Sequence, residues 1–326
     1  MLTGRRLHHL LKLVEHGHFG HAAKALNITQ PALSKSIRGL EEEFGVQLLD
    51  RSRGAISLTA FGEMVLARGK LLLTTEDDLR REIALLSGHQ TGSLSVALGP
   101  YPSVISGYPA IARLFAKHPK LTISVHVCSW REVTQRVRSR EVDLGIADIY
   151  SLDGDDELVT EPLGRHRGHL FCRPGHPLLG NGPVSLPQAL AFPWIATRIP
   201  PRVAAHIPHP IGLAGKIDPA NGDFVPAIEI DVPMQLAEIL ANSDALALAT
   251  LKMLDPDIVA DRASILPMSS LQIQANYGFI YLKGRSLAPA ALAFMDQIRA
   301  VEAAVVEREA VLLERYLGPR FAAAGR

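Results

Sequence analysis

Residues 22–45 read AAKALNITQPALSKSIRGLEEEFG, and their spacing decides the first part of the fold. Ala23 is small where two helices must cross closely, and four residues on, Asn27 suits the left-handed backbone of a tight turn. Thr29 is placed to cap a helix whose first turn holds Pro31, where a missing N–H costs nothing. Ile28, Leu33 and Ile37 point back to a common core, while Gln30, Ala32, Ser34, Lys35 and Arg38 form an outward face. Upstream, Leu7, Leu10, Leu11 and Val14 mark a helix over 5–16 that Gly17 ends, and a second short helix covers 19–26. Together these constraints describe a helix-turn-helix. Its outward residues are of the types that read base edges or grip phosphates.

Downstream, Gly45 closes the third helix. Residues 50–59, DRSRGAISLT, then read as two short strands around a glycine turn. Arg51 and Arg53 stand near the tip of this wing, in reach of a phosphate or a minor groove. Residues 1–70 carry ten basic and six acidic side chains, a charge of +4 in a chain whose total is +1. A basic head on a mildly acidic body suits a head that meets phosphate. From Ala60 to about Ser87 there is no proline, and Val65, Leu72, Leu79 and Leu86 recur every seven residues. Such a column predicts pairing with another helix. Gly69 and Glu76 interrupt the companion column, so a helix lying on its own domain is the alternative reading.

Beyond residue 90, apolar strand patterns alternate with helical ones. Strands are expected over 94–98, 122–127 and 142–147, with helices over about 104–117 and 130–139. This predicts a parallel sheet covered on both faces. A second set begins near Arg167, with strands over 169–172, 193–197, 228–232 and 246–250 and a helix over about 233–242. The chain returns through a strand over 274–282 and ends in a long helix over about 289–317. In such folds ligands sit beyond the carboxyl ends of strands, often against helix N-termini. That rule selects Pro100, Tyr101, Ser103, Ser129, Trp130, Asp148, Thr197 and Arg198. Ser103 and Ser129 each offer a hydroxyl, Tyr101 and Trp130 a ring to stack or to wall off a cleft, and Arg198 a fork for a carboxylate or phosphate.

The composition, 47% hydrophobic and 21% charged, is that of a soluble globular protein. No apolar run reaches a membrane span, and the N-terminus lacks the core of a signal peptide, so a cytoplasmic protein without a membrane partner is expected. Cys128 and Cys172 are expected to be reduced and partly buried. The closest histidine groupings, His16, His18 and His21 and then His206 and His209, lack the spacing and the companion ligands of a metal site. No metal or cofactor is expected. Nucleophile elbows, Walker loops and dinucleotide turns are absent, so an enzyme is not expected. A transported-solute receptor would share the body but has no use for the head.

The stretch AAKALNITQPALSKSIRGLEEEFGVQLLDRS, continued by ISLTAFG, closely resembles the N-terminal domain of LysR-type transcriptional regulators across residues 5–65. His18 and Leu49 stand where that family usually has Ser and Phe, which puts the capping of the second helix in question. More loosely, EVDLGIA, CRPGHPLL and VSLPQALAFPWI resemble the family's effector-binding region over roughly 92–300, which has the periplasmic-binding-protein fold. The resemblance implies an α/β protein with a winged helix-turn-helix over 1–59 and a linker, dimerisation helix over 60–90. It further implies a two-lobed effector domain over 91–303, with lobe I at 91–165 and 269–303 and lobe II at 166–268. Residues 304–326 are read as an extension of the last helix. The DNA contacts expected are Thr29, Gln30, Pro31, Ala32, Ser34, Lys35, Arg38, Arg51 and Arg53. The partners implied are double-stranded promoter DNA, a small-molecule effector, and further copies of the chain as a dimer or dimer of dimers. Arg198 suggests an anionic metabolite, and RNA polymerase is left open as a partner.

Overall fold

The computed structural model describes residues 4–50, 56–86, 92–180, 182–231, 233, 236–268 and 273–318, which form two compact units divided near residue 90. In the first unit α1 (Gly4–His16), α2 (Phe19–Ala25) and α3 (Gln30–Phe44) are followed by β1 (Leu49–Asp50), β2 (Ser57–Leu58) and α4 (Ala60–Leu86). Leu7, Leu10, Leu13, Ala22, Ala23, Leu33, Ile37, Leu40 and Leu48 close a single core. The turn before α3 takes the conformation the sequence predicts, with Asn27 at φ 54° and the Ile28 N–H bonded to the Ala23 carbonyl at 3.0 Å. His18 does cap α2, its Nδ1 accepting from the Gly20 N–H at 3.0 Å. An imidazole lone pair therefore stands in for the serine oxygen.

Gly69 does more than interrupt a heptad column. A Cβ there would lie 2.9 Å from the Leu7 side chain, so the glycine lets α1 settle against α4. Val65 of the column is buried in the head core, whereas Leu72 and Leu79 are 52% and 57% exposed.

The second unit begins with β3 (Ser93–Leu98), α5 (Pro100–Pro102), a π-helical stretch Ser103–Gly107, and α6 (Tyr108–Lys117). It continues through β4 (Thr122–Val127), α7 (Trp130–Arg138), β5 (Leu144–Asp148), a 3-10 turn Tyr150–Leu152 and β6 (Leu158–Arg167). Then come β7 (His169–Cys172), α8 (Leu186–Leu190), β8 (Trp194–Ala196), α9 (Pro201–Ala204), β9 (Gly215–Ile217), β10 (Phe224–Pro226) and β11 (Ile228–Glu229). The chain closes with α10 (Leu236–Ala241), β12 (Leu246–Ala249), α11 (Leu251–Val259), β13 (Ser264–Ile265), β14 (Gln274–Leu282) and α12 (Pro289–Leu317).

Two five-stranded sheets result, ordered β4-β3-β5-β14-β6 and β11-β8-β12-β7-β13. Both are mixed, not purely parallel as the strand–helix alternation predicts. In the first, β14 runs antiparallel to β5 and β6; in the second, β7 runs antiparallel to β12 and β13. The chain crosses between the sheets at Gly168, whose N–H bonds the Ile273 carbonyl of the returning strand at 2.8 Å. Side chains alternate across each sheet. Leu94, Val96 and Leu98 face α6 and α12, while Ala97 faces Val133 and Val137 of α7.

Helix α12 serves both lobes. Phe294, Ile298, Val301 and Val305 lie in the first lobe's core, and Leu312 lies with Phe171 and Ile195 in the second's. Arg308 and Tyr316 both bind Asp255, at 2.9 Å each.

A second correction concerns the helix after β3. It starts at Pro100, four residues before the expected 104, because Pro100 and Pro102 occupy a first turn where no N–H is needed. Pro109 then cannot donate inside the helix, and the Tyr108 N–H bonds the Ser103 carbonyl in a π turn.

Candidate functional site

The head presents one polar face. Thr29, Gln30, Pro31, Ala32, Lys35 and Arg38 are exposed and Ser34 is half-buried, opposite the buried Leu33, Ile37 and Leu40. Thr29 Oγ1 accepts from the Ala32 N–H at 3.4 Å, and Gly45 ends the helix in the left-handed region at φ 68°. Arg38 reaches only the Ser34 hydroxyl, at 3.3 Å, and Lys35 has no salt-bridge partner among the described residues. The acids after this face are engaged elsewhere. Glu43 binds Arg6 at 3.0 Å, and Glu41 Oε1 accepts the Leu48 N–H at 3.0 Å where the wing begins. On the inner side, His9 Nδ1 and Ser36 Oγ lie 2.8 Å apart and tie α1 to α3. Burial lowers the His9 pKa, assisted by Arg5. Arg51 and Arg53 lie outside the described residues.

In the second unit, a cavity of about 110 Å³ opens between the two sheets at the ends of their strands. It takes Pro100 and Tyr101 from the end of β3, Asp148 from β5, Thr197 and Arg198 from β8, Thr250 from β12, and Trp130 from α7. His166, Asn276 and Tyr277 enter from the antiparallel strands. An adjoining hollow of about 540 Å³ shares Pro100, Trp130, Thr197 and Arg198 and adds Ser129, Glu132, Arg136, Glu229 and Asp231.

The charges around this cleft are paired. Arg198 donates to Glu229 at 3.0 Å and to Asp218 at 2.9 Å. Asp148 is held by Arg202 at 2.6 Å, an ion pair from one lobe to the other. Arg131 of α7 makes a forked pair across the lobes with the fully buried Asp223, at 2.6 and 2.9 Å. The Tyr101 hydroxyl also crosses, donating to the Leu248 carbonyl at 2.8 Å, and burial raises its pKa.

Behind the cavity, His166 is clamped by Glu302 at 2.8 Å and Glu309 at 3.0 Å, and the Tyr277 hydroxyl donates to Glu302 at 2.7 Å. Burial alone would lower the His166 pKa, but the two carboxylates outweigh it and hold it up at about 9. Burial likewise opposes the ionisation of Glu302, and bonds from His166, Ser106 and Tyr277 pull its pKa down all the same. The imidazolium and the Glu302 carboxylate thus stay charged.

The family description for bacterial regulatory helix-turn-helix proteins of the lysR family fits residues 5–63, and that for the LysR substrate binding domain fits residues 87–303. The chain belongs to the LysR family. Among relatives of this LysR-type regulator, the SDS degradation transcriptional activation protein of a Pseudomonas species is 36% identical, over 90% of this chain and 94% of its own. Full-length OxyR from Pseudomonas aeruginosa has the same fold, with a TM-score of 0.65 at 18% identity, covering 92% of this chain and 95% of its own. So has CbnR complexed with its target DNA, with a TM-score of 0.59 at 16% identity over 92% and 100% of the two chains. The relatives are named as transcriptional regulators, and this regulator is likewise a DNA-binding protein with a substrate-binding domain, not an enzyme.

Of the cleft residues expected from the sequence of this LysR-type regulator, Pro100, Tyr101, Trp130, Asp148, Thr197 and Arg198 line the smaller cavity. Ser129 lines only the larger one and caps α7, accepting the Glu132 N–H at 3.3 Å. Ser103 is corrected. Because the helix starts at Pro100, Ser103 is fully buried inside it, donates to the Pro100 carbonyl at 2.7 Å and lines neither hollow. Arg198, expected to hold an anion, already has its fork filled by Glu229 and Asp218. His166, Thr250, Asn276 and Tyr277 were not legible, since they depend on antiparallel neighbours that no local pattern announces. The one available signal was Thr250 itself, a cap-type residue directly after an apolar strand.

Cys172 is buried, which pushes its thiol up to about 12, and Cys128 is half-buried; neither forms a disulfide. Among the described residues no helix is long and apolar enough to cross a membrane, and no group of His, Cys, Asp or Glu is arranged to hold a metal.

Proposed function

We propose that this LysR-type regulator binds promoter DNA as an oligomer and changes its hold on that DNA when a small molecule occupies the cleft between its lobes. The exposed face of α3, where Lys35 has no salt-bridge partner among the described residues, carries the reading. Placed in the major groove, Gln30, Ser34, Lys35 and Arg38 reach base edges or phosphates, while Thr29, Pro31 and Ala32 bring the helix N-terminus to the backbone. Arg51 and Arg53 of the wing supply flanking phosphate contacts.

Two copies joined through α4 present two heads to an inverted repeat, and the exposed Leu72 and Leu79 support that pairing. A dimer of dimers is the larger assembly, working in the cytoplasm. Pro100, Tyr101, Trp130, Asp148, Thr197 and Arg198 form the effector site, with Ser129 at its larger annexe. Kinship with a protein named for transcriptional activation supports activation, with RNA polymerase as the partner contacted. The effector acts by binding one of two pre-existing shapes of the assembly more tightly.

The test is footprinting of the purified chain on the DNA preceding its own gene, across a range of salt concentrations. A protected inverted repeat, lost linearly in log affinity against log salt, is expected. Sequence-blind binding at every salt concentration defeats the proposal.

A further inference from the structure

Two buried polar atoms at the smaller cavity have no hydrogen-bond partner among the described residues, the Thr250 hydroxyl and Asn276 Oδ1. Thr250 is 1% exposed and stands at the N-cap of α11 with the extended backbone of a capping residue, φ −87° and ψ 157°. Its hydroxyl nevertheless caps nothing. Leaving such groups unpaired is costly, and the cost is recovered when a ligand pairs them.

The charges point the same way. Arg131, Arg198, Arg202 and His166 are matched by Asp148, Asp218, Asp223, Glu229, Glu302 and Glu309, so four cations stand with six carboxylates. An anion entering here meets a surplus of negative charge and finds no free fork. A cation finds each of those carboxylates already paired, and both ions would shed water against walls formed by Trp130, Val203, Leu248 and Ile273.

We infer that the cleft selects an uncharged, largely apolar molecule bearing a hydroxyl, which donates to Asn276 Oδ1 and accepts from the Thr250 hydroxyl. This rests on the reading of the cleft as the effector site and names its ligand class.

Trp130 lines the cavity, and the chain has one other tryptophan, the buried Trp194, so fluorescence of the full-length protein reports occupancy. The probes are hexanol, hexanoate, hexyl sulfate, hexylammonium and methyl pentyl ether, which share an apolar body and differ in the head. Hexanol is expected to bind about tenfold more tightly than any of the ions and several-fold more tightly than the ether, which accepts but cannot donate. Asn276→Leu should bring hexanol down to the level of the ether and leave the ether unchanged, which also shows that this variant folds. Thr250→Val, which removes the donor both molecules use, should weaken hexanol and the ether alike. Tighter or equal binding of an ion, no preference for hexanol over the ether, or no binding by any probe overturns the inference. Val203→Trp, which fills the cavity, separates the two readings. An ion whose binding it abolishes removes only the ligand class, whereas probe binding that survives it removes the cleft as the effector site.

Discussion

The two units of this regulator treat their interacting side chains in opposite ways. In the head, side chains with proposed roles are left without partners among the described residues: Lys35 has no salt bridge there, and Leu72 and Leu79 of α4 are exposed. In the body, the charged groups are matched to one another, Arg131 to Asp223, Arg202 to Asp148, and His166 to Glu302 and Glu309. A surface that meets a polyanion gains from free cations. A closed cavity loses by burying any charge without its partner. The head is therefore suited to the intermolecular contacts proposed for it, and the paired charges of the cleft hold its two lobes together.

Substitutions can break that contrast. The largest effect is expected from Leu72→Glu combined with Leu79→Glu, which removes apolar burial of about 1.5–3 kcal/mol per leucine from the proposed helix pairing. Sedimentation velocity should show smaller assemblies with unchanged thermal stability, and an unchanged mass would leave the leucines without the role given them. Next comes His166→Ala, which strands two buried carboxylates and should cost about 3–5 kcal/mol of body stability, read from chemical denaturation.

The same site sets a pH dependence. Because the folded pKa of His166 is raised from 6.5 to about 9, its stabilisation is complete below pH 6.5 and is lost as pH rises through about 9. Denaturation midpoints should fall across that window in the parent protein. A fall of the same size in His166→Ala would assign it to another group.

Smaller effects are expected in the head. Lys35→Ala or Arg38→Ala should weaken operator binding by about 1–3 kcal/mol where the contact is to a base, with hexanol binding retained. Equal losses of both activities would mean damage to folding, not to the interface. Least of all, Thr29→Ala should cost about 1 kcal/mol of head stability through loss of the α3 cap. A melting curve indistinguishable from the parent would show that the 3.4 Å bond contributes nothing.

How much could be read in advance differs along the chain for a physical reason. The head follows from neighbours: cap, turn and core residues lie within a few turns of one another, and each predicted helix is present within a residue or two. In the body, β14 and α12 were legible because both carry long regular patterns. Strand β6 was not. Its sequence LVTEPLGRHR holds Pro162 and Gly164 and does not alternate, which an edge strand of the sheet tolerates. Missing it hid the antiparallel half of that sheet, and with it His166 and the neighbours of Asn276. The early start of the helix at Pro100 was hidden by a Gly-Pro-Tyr-Pro string that reads as a loop, and this misplaced Ser103.

By itself, then, the sequence determined which helix of the head carries the exposed polar face and which strand ends form a cleft, since both depend on local conformation and on the direction of strands. Only the tertiary structure decided what the cleft offers a ligand. Arg198 looks like an anion fork in the sequence, but Asp218 and Glu229, 20 and 31 residues away, fill it. Thr250 looks like an ordinary cap, but its hydroxyl is buried and unpartnered. Whether a polar group is free depends on every neighbour it meets in space, and no stretch of chain lists those neighbours.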